Sequence, residues 1–221
     1  MRRVAALMLA VAAFPGHLAA LSLVEVPYLL SAIQAGNLPP IMERVPAQVD
    51  VVNLKAAGKV PGRYGGELHL LMGKQKDTKM MMVYGYARLI AYDHDLNFVP
   101  DLLESFEVKG EREFTLRLRK GHKWSDGHPF TAEDFRYYWE DMANDNSISE
   151  KGLPSVLLVE GEGPTFEMLD ETTVRYTWSK PNPNFVPWIA RPRPLLLYRP
   201  AHYLKQFHAK YSDEAMLNVM A

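Results

Sequence analysis

Asp126, Glu133 and Asp134 place three carboxylates within one short stretch of the chain. A pair of carboxylates can act as acid and base in hydrolysis. The same residues also fit a plainer role. Asp126 sits in Trp124-Ser125-Asp126-Gly127, where Asp-Gly tolerates the positive φ of a tight turn. Glu133 and Asp134 follow Thr131 as the first turn of a helix, where negative charge is favourable. These residues are expected to serve as turn and cap, with a secreted carboxylate hydrolase resting on Asp126 and Glu133 as the rival. The seven histidines are scattered. His202 and His208 do not share a helix face, and His122 and His128 flank a turn. No two have ligand spacing with a carboxylate partner, so no metal site is expected.

Other chemistries are excluded more directly. The chain has no cysteine, which removes disulfides, Cys-ligated zinc, Cys nucleophiles, Fe–S clusters and a lipid anchor on an N-terminal Cys. It has no Gly-x-Ser-x-Gly elbow. Gly62-Arg63-Tyr64-Gly65-Gly66 lacks both the Lys-Ser/Thr of a phosphate loop and dinucleotide spacing, and reads as a turn. The 25 basic and 26 acidic residues leave a net charge of −1, which argues against nucleic acid as a partner. No catalytic residue and no cofactor are expected.

The elements that carry these residues are legible from patterning. With 221 residues and 48% hydrophobic content, the chain can bury a sizeable core. Leu68, Leu70 and Met72 alternate with His69 and Leu71, predicting a strand over 67–72. Asp77 or Thr78 can cap a helix running to about Leu89. Phe106 and Val108, a turn at 109–111, then Phe114, Leu116 and Leu118 predict a hairpin with Thr115, Arg117 and Arg119 on its solvated face. Thr131 and Asp134 predict a capping box for a helix over 132 to about 143, with Phe135, Tyr138, Trp139 and Met142 as its apolar stripe. Phe166 and Met168, a turn at Asp170-Glu171, then Val174, Tyr176 and Trp178 predict a second hairpin. Prolines at 181, 183, 187, 192, 194 and 200 predict an extended connection, followed by helix over 201–210 and another begun by Ser212 or Asp213.

The N-terminus has its own logic. Arg2 and Arg3, an apolar run over 4–14 and the small residues Ala19 and Ala20 describe a cleavable secretory signal over 1–20. The run is too short for a bilayer, which needs about twenty residues. A buried N-terminal helix is the alternative. Residues 21–61, rich in proline, read as an N-terminal extension that wraps the domain, with a short helix near 29–34.

Three motifs carry a resemblance. Pro100-Asp101-Leu102-Leu103-Glu104-Ser105-Phe106-Glu107-Val108 is followed by Phe114-Thr115-Leu116-Arg117-Leu118-Arg119-Lys120-Gly121. Then comes Lys123-Trp124-Ser125-Asp126-Gly127-His128-Pro129-Phe130-Thr131-Ala132-Glu133-Asp134-Phe135. Together with Asp170-Glu171-Thr172-Thr173-Val174, this resembles extracellular solute-binding proteins of family 5, the oligopeptide-, dipeptide- and nickel-binding components of ABC importers. Leu103 and Phe106 depart from the family's usual Ala and Trp but keep apolar packing.

The resemblance implies a mixed fold, α+β and α/β, of the periplasmic-binding-protein type II kind. Residues 62–221 would be the N-terminal part of the family domain, with an inserted small subdomain at about 84–198 and the second lobe missing. It implies a periplasmic monomer that captures a small solute, an oligopeptide, and passes it to ABC transporter permease subunits. A truncated remnant that binds nothing is a further alternative. In peptide-binding relatives the loop after the first strand touches ligand; here that implies Met72, Gly73, Lys74, Asp77 and Thr78. Gly73 would let backbone approach a ligand, Lys74 could meet a carboxylate and Asp77 an amine. The competing reading of the same loop is a solvated turn, with Asp77 or Thr78 capping a helix.

Overall fold

The computed structural model describes residues 23–56, 58–81, 87–192, 195–213 and 217. The proposed signal over 1–20 lies outside them. The chain divides into two compact units, Met1–Ile41 and Met42–Ala221. In the first, a 3₁₀ turn at Pro27–Leu29 leads into α1 (Leu30–Gln34), close to the predicted short helix. Gly36, at φ +72°, ends it, in the left-handed conformation that favours glycine. α2 (Ile41–Arg44) follows.

The second unit is built on antiparallel strands. β1 (Ile90–Tyr92) and β2 (Phe98–Pro100) pair through a turn in which Asp93 accepts from the Asp95 and Asn97 amides. β3 (Leu103–Lys109), β4 (Glu113–Leu118), β5 (Thr165–Met168) and β6 (Thr173–Thr177) form a sheet of order β3-β4-β6-β5. Both predicted hairpins are present, and β4 and β6 join them with Phe114 opposite Tyr176 and Leu116 opposite Val174.

Alternation along these strands sends Phe114, Leu116, Leu118, Val174 and Tyr176 to one face, each at most 2% exposed. α3 (Ala132–Arg136) covers this face and continues as a wider π-helical stretch at Tyr137–Ala143. Thr131 caps α3 as predicted: its side chain accepts from the Glu133 amide, while Asp134 accepts from the Thr131 amide. The π turn rotates successive side chains relative to a regular helix, so Tyr137 is buried along with the predicted Phe135, Tyr138 and Trp139.

α4 (Phe185–Ala190) was not expected from the prolines. Pro187 falls in its first turn, where an N–H would have no acceptor within the helix, so its absence breaks no helical bond. Phe185 and Ile189 then bury against Phe114, Tyr176 and Trp178, with the Phe114–Phe185 ring centroids 4.9 Å apart. The helix expected over 201–210 is shorter: α5 (Ala201–Leu204), then a 3₁₀ turn at Lys205–Phe207.

The strand expected over 67–72 does not form. These residues alternate in sequence, but none pairs with a neighbouring strand among the described residues, and Leu71 and Leu68 are fully or largely exposed. Alternation marks a face, whereas a strand also needs an edge to pair with. The helix expected from 77 to about 89 is also corrected. A 3₁₀ helix spans Gln75–Met81, residues 82–86 lie outside the description, and at 88 the backbone N–H is donated to Asp101 Oδ2 instead of to a helical carbonyl.

Candidate functional site

The loop singled out by the resemblance forms a closed turn. Asp77 Oδ2 accepts from the Lys74 amide at 2.9 Å, and the Thr78 hydroxyl donates to the Gln75 carbonyl at 3.0 Å. Gly73 has Asp77 as the nearest atom to its missing Cβ, at 3.5 Å. Met72 is 40% exposed, and Lys74 and Thr78 are exposed. Neither Asp77 nor Thr78 caps from outside the helix; both lie inside the 3₁₀ segment.

The three carboxylates separate into distinct roles. Asp134 is 3% exposed and accepts from the Thr131 amide, the Trp124 indole and the Ala201 amide, at 2.9, 3.1 and 2.9 Å. One side chain thus fastens the 124–129 turn, the start of α3 and the start of α5. The two oxygens of Glu133 take Arg136 at 2.6 and 2.7 Å, and Oε1 also takes Lys205 at 2.7 Å. The bonded Arg136 guanidinium holds the Glu133 carboxyl below its ordinary range despite burial, and Lys205 adds to this. Asp126 is likewise held low, first by His202 and then by the His128 amide. A general acid needs a carboxyl raised toward neutrality. The lowered carboxyls of Glu133 and Asp126 suit the turn-and-cap reading.

A second polar cluster joins α3 to the residues after α5. Asp141, with its side chain 1% exposed, accepts from Lys210 at 2.5 Å, Tyr211 at 2.6 Å and Arg136 at 3.2 Å. Burial pushes its carboxyl up, but these donors outweigh burial and leave it low. His208 Nε2 donates to the Asp141 carbonyl at 2.9 Å.

Sequence reasoning missed one grouping. His202 Nε2 donates to Asp126 Oδ2 at 2.7 Å, and the His128 and His202 rings stack at 3.8 Å with a 2° interplanar angle. The two histidines are far apart in sequence, so spacing carried no signal. No group of three His, Asp or Glu arranged to hold a metal ion occurs among the described residues.

The four-stranded sheet is backed by a capped helix, and the polar side chains of Asp134, Glu133 and Asp141 fasten one element to the next. The family model for bacterial extracellular solute-binding proteins, family 5 Middle, matches residues 97–217, and the chain belongs to this family. It is 29% identical over 204 residues to a periplasmic alpha-galactoside-binding protein of Rhizobium meliloti (strain 1021), covering 81% of this chain and 28% of the relative. It is 28% identical over 180 residues to the periplasmic oligopeptide-binding protein OppA of Escherichia coli (strain K12), covering 74% and 32%. Among solved structures, an oligopeptide-binding protein OppA superposes with a TM-score of 0.75 at 30% identity, covering 91% of this chain and 31% of that one. The periplasmic binding protein MelB of Agrobacterium fabrum C58, in complex with stachyose, gives 0.56 at 26% identity, covering 90% and 33%. The chain therefore spans about a third of the length of the relatives it matches. No described helix is long and apolar enough to cross a membrane.

Proposed function

We propose that this chain belongs to the solute-capturing component of an ABC importer, that its solute is an oligopeptide, and that it delivers the solute to membrane permease subunits from the periplasm. In this reading residues 1–20 are a cleaved export signal, 21–61 an extension and 84–198 the inserted subdomain of the first lobe. The protein acts as a monomer without cofactor or catalysis. The superposition on OppA, at a TM-score of 0.75 over 91% of this chain, is the observation that supports it best. Met72, Gly73, Lys74, Asp77 and Thr78 are the proposed ligand contacts. Lys74 would meet a peptide carboxylate, and the Asp77 oxygen not bonded to the Lys74 amide would meet an amine.

A sugar is the second reading, favoured by the alpha-galactoside-binding relative and the stachyose complex. A cleft removes its ligand from water only when two walls enclose it, and in our reading the residues here supply one. Calorimetric titration tests this on the 221-residue chain and on a version extended to the length of its relatives. Peptide heat from a di- to pentapeptide pool in the extended chain alone is the expected result. Heat with stachyose alone supports the second reading. Tight peptide binding by the short chain overturns the one-wall part, and silence from the extended chain with both probes overturns both solute classes.

A further inference from the structure

The Asp126, His128 and His202 grouping is not used by the proposed solute-binding role. Its parts come from two elements. The 124–129 turn is closed by the Gly127 amide on the Trp124 carbonyl at 2.9 Å and the Trp124 amide on the His128 carbonyl at 2.8 Å. This turn presents Asp126, whose Oδ1 accepts from the His128 amide at 3.0 Å. α5 presents His202 from a position distant in sequence. His128 Nδ1 lies 3.1 Å from the Pro129 carbonyl, which can only accept, so this nitrogen carries a proton. His202 must carry its proton on Nε2 to bond the Asp126 carboxylate. Its Nδ1 is buried without a partner among the described residues.

That arrangement suits uncharged rings. A lone pair on a buried Nδ1 is tolerated more easily than an N–H with no acceptor. One positive charge on His202 would be matched by Asp126. A second, on His128, would lie against the first at ring-stacking distance, with one carboxylate between two cations. The other charged groups on the packed elements are already engaged: Asp134 with Trp124 and Ala201, Glu133 with Arg136 and Lys205, and Lys123 with the Glu43 carbonyl.

We propose that Asp126, His128 and His202 form a proton-sensitive clasp that holds α5 on the 124–129 turn when the rings are uncharged and loosens it when both are charged. Histidine is the side chain whose unperturbed charge change falls between pH 5 and 8, which makes pH the variable that tests the clasp. Asp134 bridges the same two elements, so loosening is local and the core stays folded.

Hydrogen exchange on the full chain at pH 7.5 and 5.0 tests the clasp, with rates corrected for the intrinsic pH effect. The Tyr203 and Leu204 amides bond the Pro200 carbonyl and report on α5. They are expected to exchange about tenfold faster at pH 5.0, while the Leu116 amide in β4 changes less than twofold. His128→Phe keeps a ring on His202 but takes no proton, and is expected to abolish the acceleration. Asp126→Asn is expected to loosen α5 already at pH 7.5. Wild-type protection that is flat with pH overturns the clasp, as does equal acceleration at Leu116 or an unchanged acceleration in His128→Phe.

Discussion

At the scale of single residues, the burial of polar atoms decides more than the chemistry their types suggest. Asp134 is the clearest case, because three donors from three elements converge on one buried carboxylate. Removing it leaves an indole N–H and two backbone N–H groups without acceptors, each costing on the order of 1–3 kcal/mol. Asp134→Ala should therefore lower stability by about 3 kcal/mol or more, read as a fall in the urea midpoint with unchanged slope. Tyr176 shows the opposite balance. Its ring is fully buried, burial drives its hydroxyl far above the ordinary range, and the hydroxyl has no partner among the described residues. Tyr176→Phe keeps the ring contacts with Trp139 and Phe185 and removes an unpaired polar atom. It should change stability by under about 1 kcal/mol or raise it, and a loss above about 2 kcal/mol would show an unseen partner. Gly121 is fixed by sterics: at φ +88°, a Cβ there would sit 2.6 Å from the Ala47 amide nitrogen. Gly121→Ala should displace 42–50 from the 119–123 turn, detectable as faster proteolysis near Ala47 with the sheet intact. The capping role of Thr131 and Asp134 was legible from residue types three positions apart. The Trp124 and Ala201 donors were not, because their distance in sequence hides them.

At the scale of elements, charge fastens what apolar packing leaves loose. The described residues after α5 add nothing to the apolar cluster, and Glu133–Lys205, Asp141–Lys210, Asp141–Tyr211 and His208 on the Asp141 carbonyl hold them to α3 and its π-helical continuation. Asp141 and Glu133 are both held below the ordinary carboxylate range. A carboxyl lowered in the folded state contributes stability that is present above its unfolded value, near 4, and is lost as pH falls through its folded value. Acid should thus weaken this junction progressively below about pH 4. Lys210 is raised by Asp141, so its share is present at neutral pH and lost as pH rises above its ordinary value. Asp141→Asn should flatten the acid limb of a stability–pH profile relative to wild type; a profile superimposable on wild type would count against the junction. Hairpins and α3 were legible because their alternation and cap are local. α4 was hidden by its proline content, since only the position of Pro187 relative to the helix start decides whether it breaks the helix.

For the whole molecule, one apolar cluster from Leu89 to Leu197 gathers the four-stranded sheet, α3 and α4, while 58–74 is exposed throughout. Hydrogen exchange should show strong protection across β3, β4 and β6 and little at 67–72; uniform protection would mean that 67–72 is paired. The sequence by itself determined the family motifs, both hairpins, the α3 cap and which strand face is apolar. These depend on neighbours a few residues apart and on periods of two and about four. It also carried the absence of cysteine and the near-balanced charge, which removed whole classes of chemistry before any fold was known. Only the tertiary structure decided that 67–72 finds no strand partner among the described residues, that Pro187 falls within the first turn of a helix, and that His128 stacks on His202 while Asp134 joins three elements. Each of those depends on an edge, a helix start or a donor brought close by folding, and spacing along the chain does not encode such distances.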